Sequence, residues 1–326
     1  MFKLFTIASA LFGSALALTS PPSGALTVGP SGKYSTIQEA VDALDTSSSS
    51  DQTIFIYSGI YKEQVIVPEL SGSLTVYGYS DSETDYSSNA VTITAAKSQD
   101  DGLDNDGTAT LAVHTGNFFM YNMNVANTHG EGSQAVALSA NAEGNMGFYA
   151  CQFTGYQDTL LANKGNQIYA KSYIEGATDF IFGQLAFAWF EDCTIGVLAA
   201  SKGYVTANGA KSSGASYYVI NKSKVQAAPG QSVESGAYYL GRPWGEYAQV
   251  VFQNSELSDV INAAGWLEWN TDDPRTSGVS FGEYGNTGDG ASTSSRASFS
   301  EQLSAAVSIS DVISDYSSWA DKTFIS

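Results

Sequence analysis

The sequence predicts an all-β chain folded as a parallel β-helix, a solenoid in which short strands stack coil upon coil. Runs of β-branched and aromatic residues, bounded by Gly, Ser or Asn, fill most of the chain after residue 53. An internal repeat recurs along them: an apolar residue, then Cys, Ser or Met three positions later, then another apolar residue two positions on. Repeats of a few short strands are typical of solenoids. The middle residues of the repeat are Met123, Cys151, Ser172, Cys193, Ser223 and Ser255.

The intervals between these middle residues separate the β-helix from its alternatives. They are 28, 21, 21, 30 and 32 residues. A β-propeller would show a longer and more regular period, and a β-sandwich would show none. The longer intervals indicate insertions that project from one side of the coil, and we expect a binding cleft there.

The chain begins with a predicted signal peptide. Lys3 is followed by an apolar run from Leu4 to Leu16 and by the small-residue pattern at residues 15–17, which together are typical of a cleaved secretory leader. We therefore expect residues 1–17 to be removed and residues 18–326 to form a single β-helix domain that is secreted and extracellular. No later segment is apolar over the length that a membrane helix requires.

The domain is predicted to open with a short helix and to end with a helical segment. Ser35 and Gln38 fit a capping box, which predicts an amphipathic helix over residues 39–44. Strands are predicted at residues 53–57, 74–79, 91–95 and 217–220. Helical periodicity returns only over residues 299–313.

Charge and residue usage restrict the partners. Lys and Arg number 14 against 33 Asp and Glu, which gives a formal net charge of -19. A nucleic acid or an anionic membrane would be repelled, so we expect neither as a partner, and we expect a monomer. The only histidines are His114 and His129, and no cysteine cluster accompanies them. This argues against a zinc site, and we expect no metal and no cofactor.

The two cysteines are predicted to be free. Cys151 and Cys193 hold equivalent places in the repeat, two coils apart, with Ser172 between them. Stacked coils lie about 4.8 Å apart, so their Cα atoms should be roughly 9.6 Å apart. A disulfide needs less than about 7 Å. We therefore predict two buried thiols, although the chain is predicted to be secreted.

Two aspartates lie one coil apart in the most regular part of the repeat. Asp158 and Asp179 are separated by 21 residues, the local coil length, so their carboxyl groups should be neighbours. Two such groups cannot both ionise cheaply, which favours one proton donor and one charged nucleophile or base. The alternative is that both are solvated loop carboxylates or turn caps, the usual role of Asp near Gly.

Five short motifs occur in this order along the chain: GIYKE at 59–63, QAVAL at 134–138, GYQDTL at 155–160, DFIFG at 179–183 and LGRPW at 240–244. In these motifs and in their order the chain resembles the pectin methylesterases. The similarity continues through residues 265–269 and 284–286, so it covers essentially the whole chain after the leader. It implies a right-handed parallel β-helix, with pectin as the substrate. The implied reaction is hydrolysis of galacturonate methyl esters to carboxylate and methanol.

The resemblance also implies the roles of ten residues. Asp179 matches the family's nucleophile and Asp158 its acid/base. Gln134 and Gln157 match the glutamines that stabilise the oxyanion, and Arg242 matches the arginine that orients the nucleophile. The aromatic residues that line the sugar cleft match Phe182, Trp244, Trp266, Tyr156 and Trp269.

Two other kinds of function stay open from the residues alone. A β-helical pectate lyase or polygalacturonase would yield unsaturated or cleaved chains instead of methanol. A non-catalytic polysaccharide-binding β-helix would lose no activity when Asp179 is replaced by Ala.

Overall fold

A computed structural model describes residues 18–325, and the predicted signal peptide at residues 1–17 lies outside the described residues. Twenty-four short strands are the main secondary structure of the described chain. In chain order they are β1 Leu26–Val28, β2 Gln52–Ile56, β3 Gly59–Lys62, β4 Val65–Val67, β5 Leu74–Gly78, β6 Val91–Ala95, β7 Leu111–Val113, β8 Phe118–Tyr121, β9 Asn124–Asn127, β10 Leu138–Tyr149, β11 Gln152–Thr154, β12 Leu160–Ala170, β13 Tyr173–Gly176, β14 Ile181–Gly183, β15 Leu185–Glu191, β16 Thr194–Val197, β17 Gly203–Asn208, β18 Tyr217–Asn221, β19 Lys224–Ala227, β20 Tyr238–Gly241, β21 Gln249–Gln253, β22 Glu256–Leu257, β23 Ser280–Tyr284 and β24 Ser300–Gln302.

The strands stack in parallel into the faces of one β-helix, which confirms the predicted fold class. The first face has the order β1-β2-β5-β8-β10-β12-β15-β18-β21-β23-β24, and the second has the order β3-β6-β9-β11-β13-β16-β19-β22. The third, here named the cleft sheet, contains β4, β7, β14, β17, β20 and the first halves of β10 and β12. The long strands β10 and β12 run from the cleft sheet into the first face, and their register shifts at Ala140 and Asn141.

The sequence repeat corresponds to the interior of the coil. Its first apolar residues pair from coil to coil, as Phe148 does with Met120 and with Tyr169. The second apolar residues pair in the same way in the second face, as Phe153 does with Val125 and Ile174. Because inward side chains of successive coils lie one strand spacing apart, aromatic rings stack along the axis. The ring centroids of Phe148 and Tyr169 are 4.9 Å apart.

The middle residues of the repeat form a buried ladder of hydrogen bonds. The backbone N–H of Cys151 donates to Oγ of Ser172, and that of Cys193 donates to Oγ of Ser223, each over 3.0 Å. Both cysteines are free and buried, as predicted. Burial raises the pKa of each thiol to about 12, so neither is a reactive thiolate at neutral pH.

The N-terminal helix is present, but it begins two residues earlier than predicted. Helix α1 spans Ile37–Asp42, and its capping box uses Thr36 and Glu39 instead of Ser35 and Gln38. The carboxylate of Glu39 accepts from the backbone of both Ser35 and Thr36. A charged acceptor forms stronger hydrogen bonds than an amide, which favours this register. The helix packs Ile37, Ala40 and Val41 against the first coils.

The prediction of a helix over residues 299–313 is wrong for its first half. Residues 300–302 form β24, which pairs in parallel with β23 and extends the first face. Helix α3 covers only Ile309–Val312, near the end of the predicted segment. Elsewhere in the chain, helix α2 covers Asn105–Thr108 and precedes β7. Short 3-10 turns lie at Tyr86–Ser88, Gln99–Asp101, Asp289–Ala291 and Tyr316–Ser318. Pairing with an open sheet edge outweighs a weak local helical preference.

The C-terminal segment, residues 303–325, lies across the outer side of the first face. Val312, Ile313, Ala320 and Phe324 pack against outward-facing apolar residues of successive strands. The backbone N–H of Asp321 donates to the hydroxyl of Tyr149 over 3.0 Å. Among residues 18–325, no helix has the length and apolar character needed to cross a membrane.

Candidate active site

The turns that enter the cleft sheet place Asp158 and Asp179 on neighbouring coils. Leu160 and Ile181, which lie two residues after Asp158 and Asp179, pair between neighbouring strands. The N–H of Asp158 donates to the carbonyl of Thr178 over 3.1 Å. The two aspartates therefore occupy equivalent positions, as their spacing predicts. Both have left-handed backbone, with φ of 61° and 51°, a conformation that Asp adopts more readily than most residues.

Arg242 binds Asp179 through a two-pronged ion pair. Its Nε donates to Oδ1 over 2.8 Å and its Nη2 donates to Oδ2 over 2.7 Å. Arg242 follows β20, and its backbone N–H donates to the carbonyl of Thr206 in β17. A planar guanidinium that meets both carboxylate oxygens fixes their orientation as well as their charge.

The two carboxyl groups have different electrostatic environments. Burial raises the pKa of Asp158 well above its usual range, and the nearby charge of Asp179 raises it further. Burial also raises the pKa of Asp179, but the hydrogen bonds and charge of Arg242 oppose that rise. Of the pair, Asp179 is therefore the group that ionises first, while Asp158 keeps its proton.

A cleft of about 240 Å³ opens beside this pair. The predicted residues Gln134, Gln157, Asp158 and Asp179 all line it. Among residues 18–325, the side-chain amides of Gln134 and Gln157 donate no hydrogen bond, so both amides are available to a bound group. Neutral amide donors can stabilise an oxygen on which negative charge develops.

Three of the predicted aromatic residues also line the cleft. Phe182 lies in β14, three residues after Asp179, and its ring centroid lies 6.0 Å from that of Trp244. Trp269 lines the cleft from the chain that follows β22. Rings of this kind offer apolar faces to the C–H surfaces of a sugar.

The structure contradicts the prediction that Trp266 lines the cleft. Its side chain is 1% exposed and stacks on Phe281, with ring centroids 4.3 Å apart. Its indole N–H donates to Glu283, which is itself paired with Arg296. Trp266 points into the interior because it pairs with Gly241 at the end of the cleft sheet, and inward and outward side chains alternate along a strand.

Tyr156 lies next to Gln157 but is not among the residues that line the cleft. Burial raises the pKa of its hydroxyl, and the carboxylate of Glu131 raises it further. Its contact with a sugar stays a prediction.

Four further residues belong to this site although no sequence motif indicated them: Gln99, Asn105, Ala207 and Tyr204. The first three line the cleft, and the ring of Tyr204 lies against the guanidinium of Arg242, 3.9 Å from its carbon. Gln99 and Asn105 lie between β6 and β7, in a segment that precedes the first middle residue of the repeat and lies outside the long intervals in which insertions were predicted. Ala207 pairs with Phe182, so the strand register could have indicated it.

Comparison with known proteins identifies the family. The family model described as Pectinesterase matches residues 26–317. The sequence is 53% identical to a pectinesterase from Aspergillus niger over 98% of both chains. The crystal structure of the pectin methylesterase from Aspergillus niger in deglycosylated form matches with a TM-score of 0.88 and 43% identity, covering 94% of this chain and 100% of that one. Pectin methylesterase from carrot matches with a TM-score of 0.78 and 34% identity, over 88% and 90% of the two chains. The chain belongs to the pectinesterase family.

Proposed function

We propose that the enzyme removes methyl esters from pectin with Asp179 as the nucleophile and Asp158 as the general acid and base. The observation that carries this proposal is the asymmetry of two aspartates at equivalent positions. Arg242 binds both carboxylate oxygens of Asp179, whereas burial and a like charge keep Asp158 protonated. One site thus holds an ionised nucleophile beside a proton donor.

The first half of the reaction forms an acyl-enzyme. A carboxylate oxygen of Asp179 attacks the ester carbonyl carbon, and the carbonyl oxygen becomes an oxyanion. The amides of Gln134 and Gln157 donate hydrogen bonds to it. Methoxide is a poor leaving group, so Asp158 donates its proton as the C–O bond breaks and methanol departs. An anhydride then joins the substrate to Asp179.

The second half hydrolyses the anhydride. Asp158, now a carboxylate, takes a proton from water, and the resulting hydroxide attacks the substrate carbonyl carbon. The bond to Asp179 breaks and releases the galacturonate as a carboxylic acid, which ionises in solution. Asp158 is again protonated and Asp179 again ionised, so the enzyme is ready for another ester.

The lining of the cleft also bears on what the enzyme binds. Phe182, Trp244 and Trp269 present apolar surface beside the carboxyl groups, which suits a neutral methylated galacturonate. We propose that pectin is the only macromolecular partner and that the chain acts as a monomer without metal or cofactor. We also propose that residues 1–17 direct secretion of a single domain over residues 18–326.

The replacement Asp179→Asn tests the mechanism. The amide keeps the size of the side chain but cannot form the anhydride, so methanol release from esterified pectin should fall by several orders of magnitude. Binding of methylated oligogalacturonate, measured by titration calorimetry, should persist because the cleft is unchanged. Asp192→Asn is a matched control, since Asp192 also has left-handed backbone but is exposed. Near-normal turnover by Asp179→Asn would contradict the assignment.

A further inference from the structure

We infer that Arg275 is a positioning residue for the ester hydrolysis. It holds Trp269 against the guanidinium of Arg242, and Arg242 in turn fixes the orientation of the nucleophile, Asp179. The inference rests on the proposed function, since it assigns a purpose to the orientation of Asp179. It concerns a residue outside the motifs by which the chain resembles its family.

Four side chains form an alternating series of aromatic rings and guanidinium groups. The carbon of the Arg242 guanidinium lies 3.9 Å from the ring centroid of Tyr204 and 4.4 Å from that of Trp269. The guanidinium of Arg275 lies 5.1 Å from the same ring of Trp269. Guanidinium planes pack well on aromatic faces. Arg242 is thus held by rings as well as by its ion pair with Asp179.

Arg275 is anchored at both ends of its guanidinium. Its Nε and Nη2 each lie 2.8 Å from Oδ2 of Asp273, and its Nη1 donates to the backbone carbonyl of Trp244. It therefore joins two tryptophans that line the cleft, one through its ring and the other through its backbone. Its own backbone is left-handed, with φ of 54°, which is unfavourable for a residue other than Gly, Asn or Asp.

On the N-terminal side of Trp269, the backbone N–H of Leu267 donates to the carbonyl of Gly241 over 3.1 Å, whereas the C-terminal side continues into a solvent-exposed turn. Residues 270–274 are exposed, and the turn they form is closed by the N–H of Trp269 donating to the carbonyl of Pro274 over 3.1 Å. The side chain of Asn270 caps the N–H groups of Asp272 and Asp273. The turn is ordered within itself, and Arg275 connects it to the wall of the cleft. Without that connection, the C-terminal side of Trp269 would lose its attachment to the wall of the cleft, and the ring would be held less firmly against Arg242.

Replacement of Arg275 by Lys and by Gln separates position from charge. Lys keeps the charge but cannot lie flat over a ring while it donates to Asp273 and to the Trp244 carbonyl. Both variants should therefore lower kcat/KM for esterified pectin about 3- to 30-fold, the range expected from loss of a packed cation–aromatic contact. Lys224→Gln removes an exposed charge in β19, far from the cleft, and should leave the rate unchanged. Thermal unfolding of each variant reports on the fold.

The pH profile tells positioning from a general loss of structure. Asp179 is faced by Arg242, Asp158 and Tyr204. When Arg242 is held less firmly, Asp179 ionises less readily, so the acid limb of kcat/KM should move to higher pH in both Arg275 variants. A wild-type rate for Arg275→Lys, or a lowered rate with an unmoved acid limb, would overturn the inference. These outcomes leave the proposed function intact, which fails only if Asp179→Asn stays active.

Discussion

At the scale of single residues, two aspartates acquire opposite roles because only one of them is paired with an arginine. Asp158 and Asp179 have the same backbone conformation and the same place in successive coils. Arg242 donates two hydrogen bonds to Asp179, whereas the pKa of Asp158 is raised by burial and by its charged neighbour. The difference in role between the two aspartates therefore comes from Arg242, which lies 63 positions beyond Asp179 in the sequence.

The protonation of Asp158 should carry a cost in stability at neutral pH. An unfolded Asp has a pKa near 3.9, and the folded value is raised, so the native state binds a proton that the unfolded state releases. Its contribution to stability is complete below about pH 4 and is lost as the pH rises through the folded pKa. Asp158→Asn removes this loss. It should raise the free energy of unfolding at pH 7, with a smaller effect at pH 4, as measured by denaturant unfolding at both pH values.

The same variant should lose about 10²- to 10⁴-fold in methanol release, the usual contribution of a general acid. In the wild type, kcat/KM should fall as the pH rises through the pKa of Asp158 and also as it falls through that of Asp179. The exposed Asp192→Asn serves as control for both measurements. If Asp158→Asn raised the free energy of unfolding equally at pH 4 and pH 7, the proton bound by Asp158 would not be the source of the gain.

At the scale of elements, the coil is held together by side-chain oxygens that replace backbone acceptors at a corner. Oγ of Ser172 accepts from the N–H of Cys151 and lies 3.0 Å from the carbonyl of Ala170, with no exposure to solvent. Ser223 and Ser255 act in the same way two and three coils further on. The corner before each of them is a residue with left-handed backbone, such as Lys171.

Ser172→Ala should therefore destabilise the fold without touching the chemistry. The variant leaves the buried N–H of Cys151 without its acceptor, which costs about 1–3 kcal/mol. Denaturant unfolding should show this loss, while kcat stays close to that of the wild type. Ser212→Ala, at an exposed position, should change the free energy of unfolding little. If Ser172→Ala were as stable as wild type, the ladder would be a consequence of the coil and not one of its supports.

The elements also show how far sequence reasoning extends. The repeat predicted the interior of the coil because each of its residues has a fixed inward direction, and the spacing of Asp158 and Asp179 followed from it. Trp266 was misplaced because a motif match does not tell which side of the sheet a ring faces. The first half of the predicted C-terminal helix was wrong because β23 offered an open edge to residues 300–302. Neither the Arg275 contact nor the Tyr204 ring could be predicted, since both depend on turns that bring distant segments together.

At the scale of the whole molecule, the enzyme carries a net charge of the same sign as its product. The formal net charge is -19, and each hydrolysed ester leaves a new carboxylate on the pectin chain. Three of the basic side chains do little to reverse this field, because each lies beside a carboxylate. Arg242 is bound to Asp179, Arg275 to Asp273, and Lys164 lies 3.9 Å from Glu143.

Demethylated stretches of pectin should therefore be repelled, and the enzyme should leave a chain after few turnovers. Salt at 0.1 M screens charges beyond about 10 Å, so it weakens this repulsion without affecting the buried pair of aspartates. Added salt should raise the rate of methanol release on partly demethylated pectin more than on highly methylated pectin. Highly methylated pectin is the matched control, because it carries few charges to be screened. If salt instead slowed the reaction on the demethylated substrate, local attraction at the cleft would outweigh the overall field, and the enzyme would be expected to remain on the chain it has just modified.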